Sequence, residues 1–101
     1  MREVDKIVRA IRRWDPEARI ILFGSRARGD HLKESDYDLI VISRKFEGMR
    51  FSSRASLLLK LLYKEGIVLP LELLCYTPEE FERKKSMIGI VKEALSYGVE
   101  L

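Results

Sequence analysis

The chain carries a single cysteine, Cys75, so it cannot build a disulfide framework or a cysteine metal site alone. Cys75 lies in an apolar run and reads as a small core residue. Long apolar runs are missing too, and none approaches the roughly 18 residues of a membrane span. The opening Met1-Arg2-Glu3-Val4-Asp5-Lys6 mixes charges where a secretory leader would become apolar. A cytoplasmic protein with no membrane partner is the expectation. The net charge is only +3, too small to make nucleic acid an expected partner. Two familiar phosphate-loop patterns, Gly-x4-Gly-Lys-Ser/Thr and Gly-x-Gly-x-x-Gly, are absent. Repeats, low-complexity stretches and linkers are absent as well.

What remains is 101 residues, 47% of them hydrophobic, enough for one domain (1–101) with a real core. Charged residues make up 35% against an ordinary share of about 25%. Both signs are mixed, which describes a solvated surface, as on heat-adapted proteins. Val4, Ile7, Val8 and Ile11 recur at helical spacing, and Asp15-Pro16 ends that helix after Trp14. Ala18 to Phe23 is a buried strand that stops at Gly24. Ser25 to Ala27 reads as a short helical turn and Gly29-Asp30-His31 as loop. Tyr37 to Ser43 is a second buried strand, followed by a turn over Arg44 to Gly48. Ser52 or Ser53 is placed to cap a helix over 54–64, which Gly66 ends. A third strand is expected over Ile67 to Tyr76, with Pro70 putting part of it at an edge or bulge. Thr77-Pro78-Glu79-Glu80 has the form of a helix start, with capping Thr, first-position Pro and an acid three residues on. Helix then continues through Tyr97 with a break near 86–89. This order predicts an α/β (α+β) layer structure, a short mixed β-sheet covered by helices.

Polar residues concentrate where the first two strands meet their turns. Gly24-Ser25 is followed, ten residues on, by Asp36-Tyr37-Asp38. Alternation along a strand puts Asp36 and Asp38 on one face and Tyr37 on the other. Two carboxylates about 4 Å apart repel by roughly 4 kcal/mol at an effective dielectric of 20. A magnesium ion removes that conflict, since it prefers hard oxygen ligands. Taken alone, Asp-x-Asp is an ordinary polar entrance to a strand. Gly24 lets backbone approach a ligand, and the turn after it offers N–H groups and the Ser25 hydroxyl to a phosphate. Arg26 and Arg28 can add positive charge on the same loop, although such residues are commonly just solvated. Glu72 stands inside the apolar run Leu69 to Cys75, where a carboxylate needs an ion-pair partner or an exposed edge. If its strand lies beside the second, Glu72 can face Asp36 and Asp38, and three acids can hold two metal ions. Glu72 is then the natural base for an incoming hydroxyl. His31 and the basic run Arg83-Lys84-Lys85 read as solvated surface. Leu59, Tyr63, Tyr97 and Trp14 divide between core and a partner-facing patch.

The segments Phe23-Gly24-Ser25-Arg26-Ala27-Arg28-Gly29 and Ser35-Asp36-Tyr37-Asp38-Leu39 resemble the two core motifs of the minimal nucleotidyltransferases, members of the DNA polymerase beta-like superfamily. The likeness is specific over residues 20–43 and consistent in length and element order elsewhere. It implies a polymerase beta-like fold and binding of a nucleoside triphosphate, ATP in the first instance, by Gly24 and Ser25, with Arg26 and Arg28 of the same loop as further nucleotide-binding candidates. It also implies two Mg²⁺ ions held by Asp36, Asp38 and Glu72, although many relatives have aspartate where Glu72 stands. Such minimal domains often act as antitoxins of small helical HEPN-type proteins, some by transferring AMP to a toxin tyrosine. Larger relatives, such as the kanamycin nucleotidyltransferases, add a domain that closes over the acceptor. Here acceptor selection is expected to come from another chain. The implied activity is Mg²⁺-dependent transfer of AMP from ATP to a hydroxyl of a partner protein. The alternative is a nucleotide-binding antitoxin that neutralises its partner by occlusion without turnover. Transfer to a small molecule or nucleic-acid end fits the modest charge and short chain less well.

Overall fold

Apolar residues run unbroken from Leu39 to Ile42, and all four side chains are buried, so this strand must be covered on both faces. A computed structural model, describing residues 3–28, 36–87 and 89–101, shows how. The elements are α1 (Glu3–Trp14), β1 (Arg19–Phe23), α2 (Ser25–Arg28), β2 (Tyr37–Ile42), a 3-10 turn (Arg44–Phe46), α3 (Phe51–Lys64), β3 (Leu71–Tyr76), α4 (Pro78–Lys84), α5 (Ile90–Tyr97) and β4 (Val99–Glu100). The strands form one mixed sheet in the order β3-β2-β1-β4. β1 runs antiparallel to both β2 and β4, whereas β2 and β3 are parallel and joined through α3.

Strand alternation divides the core in two. Ile20, Leu39, Val41, Leu73 and Cys75 face one way and are covered by Ile7, Ala10 and Ile11 of α1 and Leu58 and Leu62 of α3. Ile21, Phe23, Ile40, Ile42 and Tyr76 face the other way, under Phe81 of α4 and Val91 of α5. Burial pushes the Cys75 thiol up to about 12, as befits a small core residue. No described helix is long and apolar enough to cross a membrane.

The mixed sheet, α1, both first strands and the interruption between α4 and α5 follow the sequence expectation. Three details differ. The helix α3 starts at Phe51 with Arg50 at its N-cap, and neither Ser52 nor Ser53 caps it. The Ser53 amide bonds the Arg50 carbonyl instead, closing the first turn through backbone. The third strand begins only at Leu71, because Pro70 has no amide to donate, although its carbonyl accepts from Tyr37. A short fourth strand, β4, was not expected. It is held by the Arg19–Glu100 ion pair at 2.8 and 2.9 Å and by Arg12 donating to the Leu101 carbonyl at 2.7 Å. The expected loop at Gly29-Asp30-His31 lies outside the described residues.

The capping box at Thr77 forms as its sequence suggests. The Thr77 hydroxyl accepts from the Glu80 amide at 3.2 Å, and Glu80 accepts from the Thr77 amide at 2.8 Å. Glu80 also takes Arg54, a buried guanidinium that donates to the carbonyls of Met49 and Cys75. One arginine thereby joins α3, β3 and α4. Hydrogen bonds from Arg54 hold the Glu80 carboxyl down at about 2. A carboxyl depressed in the folded state stabilises the fold above its unfolded value, and that contribution disappears as pH falls through the folded value. We predict that Glu80→Ala costs about 2 kcal/mol at neutral pH. In urea titrations the gap between variant and parent should narrow as pH drops from 4.5 towards about 2.

Candidate functional site

The buried pattern of β2 gives way at its N-terminal end, where Tyr37 and Asp38 are only half-buried and Asp36 is exposed. Asp38 lies opposite Phe23, the last residue of β1, in the antiparallel pair. In the parallel pair it lies beside Glu72 of β3. Neighbouring strands are about 4.8 Å apart, so Asp38 and Glu72 project side by side from one face of the sheet. That face is the one covered farther along by α4 and α5. Glu72 is exposed and, among the described residues, sits on a strand with only one neighbour, which accounts for a carboxylate within an apolar run.

Gly24 follows β1 with φ of 75°, a conformation that favours glycine. A Cβ built there would stand 2.1 Å from Oδ2 of Asp38 and 2.9 Å from its Cγ. The carboxylate therefore lies against bare backbone, in space that any side chain at position 24 would take. Immediately after it, α2 turns over Ser25–Arg28, with the Ala27 amide donating to the Gly24 carbonyl at 3.2 Å. The side chains of Ser25 and Arg28, and all of His31, lie outside the described set.

Arg26 is held elsewhere. Its guanidinium lies 3.9 Å from the ring centroid of Tyr37, whose hydroxyl donates to Glu3 of α1 at 3.2 Å. Tyr37 alternates with Asp38 and belongs to the opposite face, so a phosphate role for Arg26 requires its side chain to leave that ring. Burial, followed by the bond to Glu3, raises the Tyr37 phenol above its ordinary value. The sequence pattern placed Tyr37 on the far face but contained no signal that Arg26 would follow it.

Among the described residues no three His, Cys, Asp or Glu side chains lie close enough together to hold a metal ion. The register joins Asp38 to Glu72, while Asp36 occupies the exposed approach to β2. Hard carboxylate oxygens beside a glycine cradle suit a magnesium ion, so the donor chemistry here fits the expected group. A recess of about 750 Å³ between α1 and α3 holds none of these residues and is lined by Trp14, Leu57 and Leu61. Arg83, Lys84 and Lys85 are exposed, as expected, with Lys85 paired to Glu82.

The nucleotidyltransferase domain family matches residues 4–98, nearly the whole chain. The chain belongs to that family. Over 51 residues it is 43% identical to a Methanocaldococcus jannaschii protein named "putative protein adenylyltransferase", a match covering 50% of this chain and 47% of that one. The match thus spans about half the length of its relative. In three dimensions the domain resembles a Sulfolobus solfataricus protein described as a "putative nucleotidyltransferase", with a TM-score of 0.62 and 24% identity over 80% of this chain and 69% of the other. It also resembles a chain from a toxin–antitoxin structure with AMP-PNP, with a TM-score of 0.63 and 22% identity over 99% of this chain and 72% of that one. At these identities the structural likenesses show a shared fold.

The contact between Gly24 and Asp38 can be measured directly. Gly24→Ala should destabilise the domain by about 1–2 kcal/mol through the positive φ and the clash. Asp38→Ala in the same chain should recover part of that loss, since it removes the two nearest atoms. A double-mutant cycle by chemical denaturation should return a coupling of at least about 0.5 kcal/mol, and strict additivity would refute the contact.

Proposed function

We propose that this domain transfers AMP from ATP to a hydroxyl of a partner protein, in a Mg²⁺-dependent reaction. The observation that carries the reading is the placement of Asp38 between the Gly24 cradle and Glu72. The family match supports nucleotidyl transfer as the reaction class. The name of the M. jannaschii relative and the AMP-PNP in the toxin–antitoxin neighbour support ATP and a protein acceptor. We propose further that the partner is a small helical HEPN-type toxin, so that the domain serves as its antitoxin.

The chemistry asks little covalent work of the protein. The acceptor oxygen bonds to the α-phosphorus, the bond from that phosphorus to the bridging β-phosphate oxygen breaks, and pyrophosphate leaves. The hydroxyl proton passes to Glu72, which is exposed at the sheet edge where an acceptor can reach it. Gly24 and the α2 turn bring backbone close to the triphosphate, and Ser25 and Arg28 belong to that turn. Asp38 and Glu72, joined by Asp36 drawing in from the exposed approach to β2, would hold magnesium, which when bound neutralises charge on the triphosphate. Catalysis is then mainly positioning and charge compensation.

Labelled ATP with Mg²⁺ should transfer label to the protein encoded beside this chain, with intact mass rising by one or more AMP groups. Chelation should abolish transfer and added Mg²⁺ restore it. Asp38→Asn should lower transfer at least about 100-fold. Equal labelling by parent and variant would sink the proposal. Inhibition of the partner that survives both Asp36→Ala and Asp38→Ala would assign neutralisation to occlusion.

A further inference from the structure

Among the described residues, the edge of the sheet beside Glu72 is open. At the two ends of the β2–β3 ladder, the Pro70 carbonyl accepts from Tyr37 and the Tyr76 carbonyl from Ser43. Backbone groups alternate in direction along a strand, so those of even-numbered residues point to β2 and those of Leu71, Leu73 and Cys75 point outward. The Cys75 carbonyl agrees, since Arg54 takes it from outside at 3.2 Å. Among the described residues no strand pairs with this outer edge.

Apolar surface collects around the same edge. Of the seven large hydrophobic side chains exposed among the described residues, five surround β3: Phe51, Leu59, Tyr63, Val68 and Met87. They border two recesses, one on each face of the strand. On the α4 side, a recess of about 580 Å³ is lined by Phe51, Leu74, Tyr76, Met87, Arg83, Lys84 and Glu80, whose charge Arg54 already pairs. On the α3 side, a recess of about 280 Å³ lies among Leu59, Tyr63, Val68, Leu69 and Leu71. A strand laid along this edge would send alternate side chains into the two recesses while its backbone bonded Leu71 and Leu73.

We infer that β3 receives an extended, acidic segment of the acceptor protein as an added strand, setting its hydroxyl residue beside Glu72. This deepens the function proposed above and rests on it for the role of Glu72. Across the sheet the order becomes Phe23, Asp38, Glu72, acceptor, each about one strand spacing from the next, with Gly24 against the Asp38 carboxylate. The acidic character follows from charge. Lys60, Arg83 and Lys84 flank the recesses, all exposed, and none forms an ion pair among the described residues. A second copy of this chain fits less well. Pairing β3 with itself would bring both sets of these cations together across an open edge only a few residues long.

The test uses the full chain and a synthetic peptide with a central Val-Tyr-Val between Asp and Glu residues. Amide hydrogen exchange, without nucleotide, should slow at Leu71 and Leu73 when the peptide is added. The same peptide N-methylated at alternate residues should bind at least about tenfold more weakly. Val68→Asp and Met87→Asp change exposed side chains, 71% and 53% accessible, and should weaken binding similarly with an unchanged melting temperature. Binding unaffected by N-methylation, protection at other residues, or no binding at about 1 mM peptide would each overturn the inference. Protection of the same amides without peptide, with a doubled mass in sedimentation, would give the edge to a second copy. The readout needs no turnover: edge protection with no label transfer would leave the docking strand standing and remove the catalytic reading.

Discussion

The parallel pairing of β2 with β3 is the constraint on which the candidate site depends. Side chains on a strand alternate, so a slip of one residue in that register would carry Glu72 to the α1–α3 face and put Leu71 or Leu73 beside Asp38. Hydrogen bonds at both ends of the ladder oppose such a slip. Arg54 opposes it as well, by fixing the Cys75 carbonyl to α3 and to Glu80. A clamp at the other end of β3, with no contact to the acids, therefore maintains their alignment. Two buried cores carry the remaining load, because Leu73, Leu74, Cys75 and Tyr76 of β3 would all have to change faces in the same slip.

The acids occupy the margin of those cores rather than their interior. Along β2 the side chains pass from exposed at Asp36, through half-buried at Tyr37 and Asp38, to fully enclosed at Leu39. Like charges are tolerable in this corner because solvent reaches it, and interactions at such margins are weaker than in a dry interior. Gly24 completes the arrangement by omission: the space its missing side chain leaves is the space Asp38 uses. The opposite face of the same strand end is treated differently. There Tyr37 anchors to Glu3 and receives Arg26, so α1, α2 and β2 are tied together behind the carboxylates.

What the sequence makes legible is local. The apolar run of β2, the capping box at Thr77 and the glycine after β1 each declare themselves within a few residues, and each is found where expected. Asp36 and Asp38 stand out because their spacing needs no tertiary information. Glu72 stands out only as an anomaly; its place beside Asp38 follows once β3 is known to lie against β2. Features created by distant partners leave no such trace. Val99 and Glu100 form a strand because β1 offers them an edge and Arg19 a counter-charge, and two residues have no periodicity to read. The start of α3 eluded the serine rule because backbone bonding to Arg50 and the reach of Arg54 back to Met49 decide that turn. Arg26 is a phosphate candidate by its charge on the loop after Gly24, and only the fold could show that an aromatic ring also lies within its reach.

Sheet edges are ordinarily blunted by proline, charge or a covering element, since an unpaired strand invites association. In this domain the protection is partial, and its distribution carries information. Pro70 closes one end of β3 and Arg54 occupies the Cys75 carbonyl at the other. Between them the outward groups of Leu71 and Leu73 remain, bordered by exposed apolar side chains as well as by Lys60, Arg83 and Lys84. Glu72 is the one charge on that stretch, and it points to the carboxylate face. So short an opening gains little from pairing with itself, and the surrounding cations disfavour that pairing further. An incoming segment with its own acidic residues meets no such penalty. Leu71 and Leu73 offer the outward backbone and Glu72 stands between them, so on the proposed reading an acceptor bound at this edge would have its hydroxyl aligned in the same event.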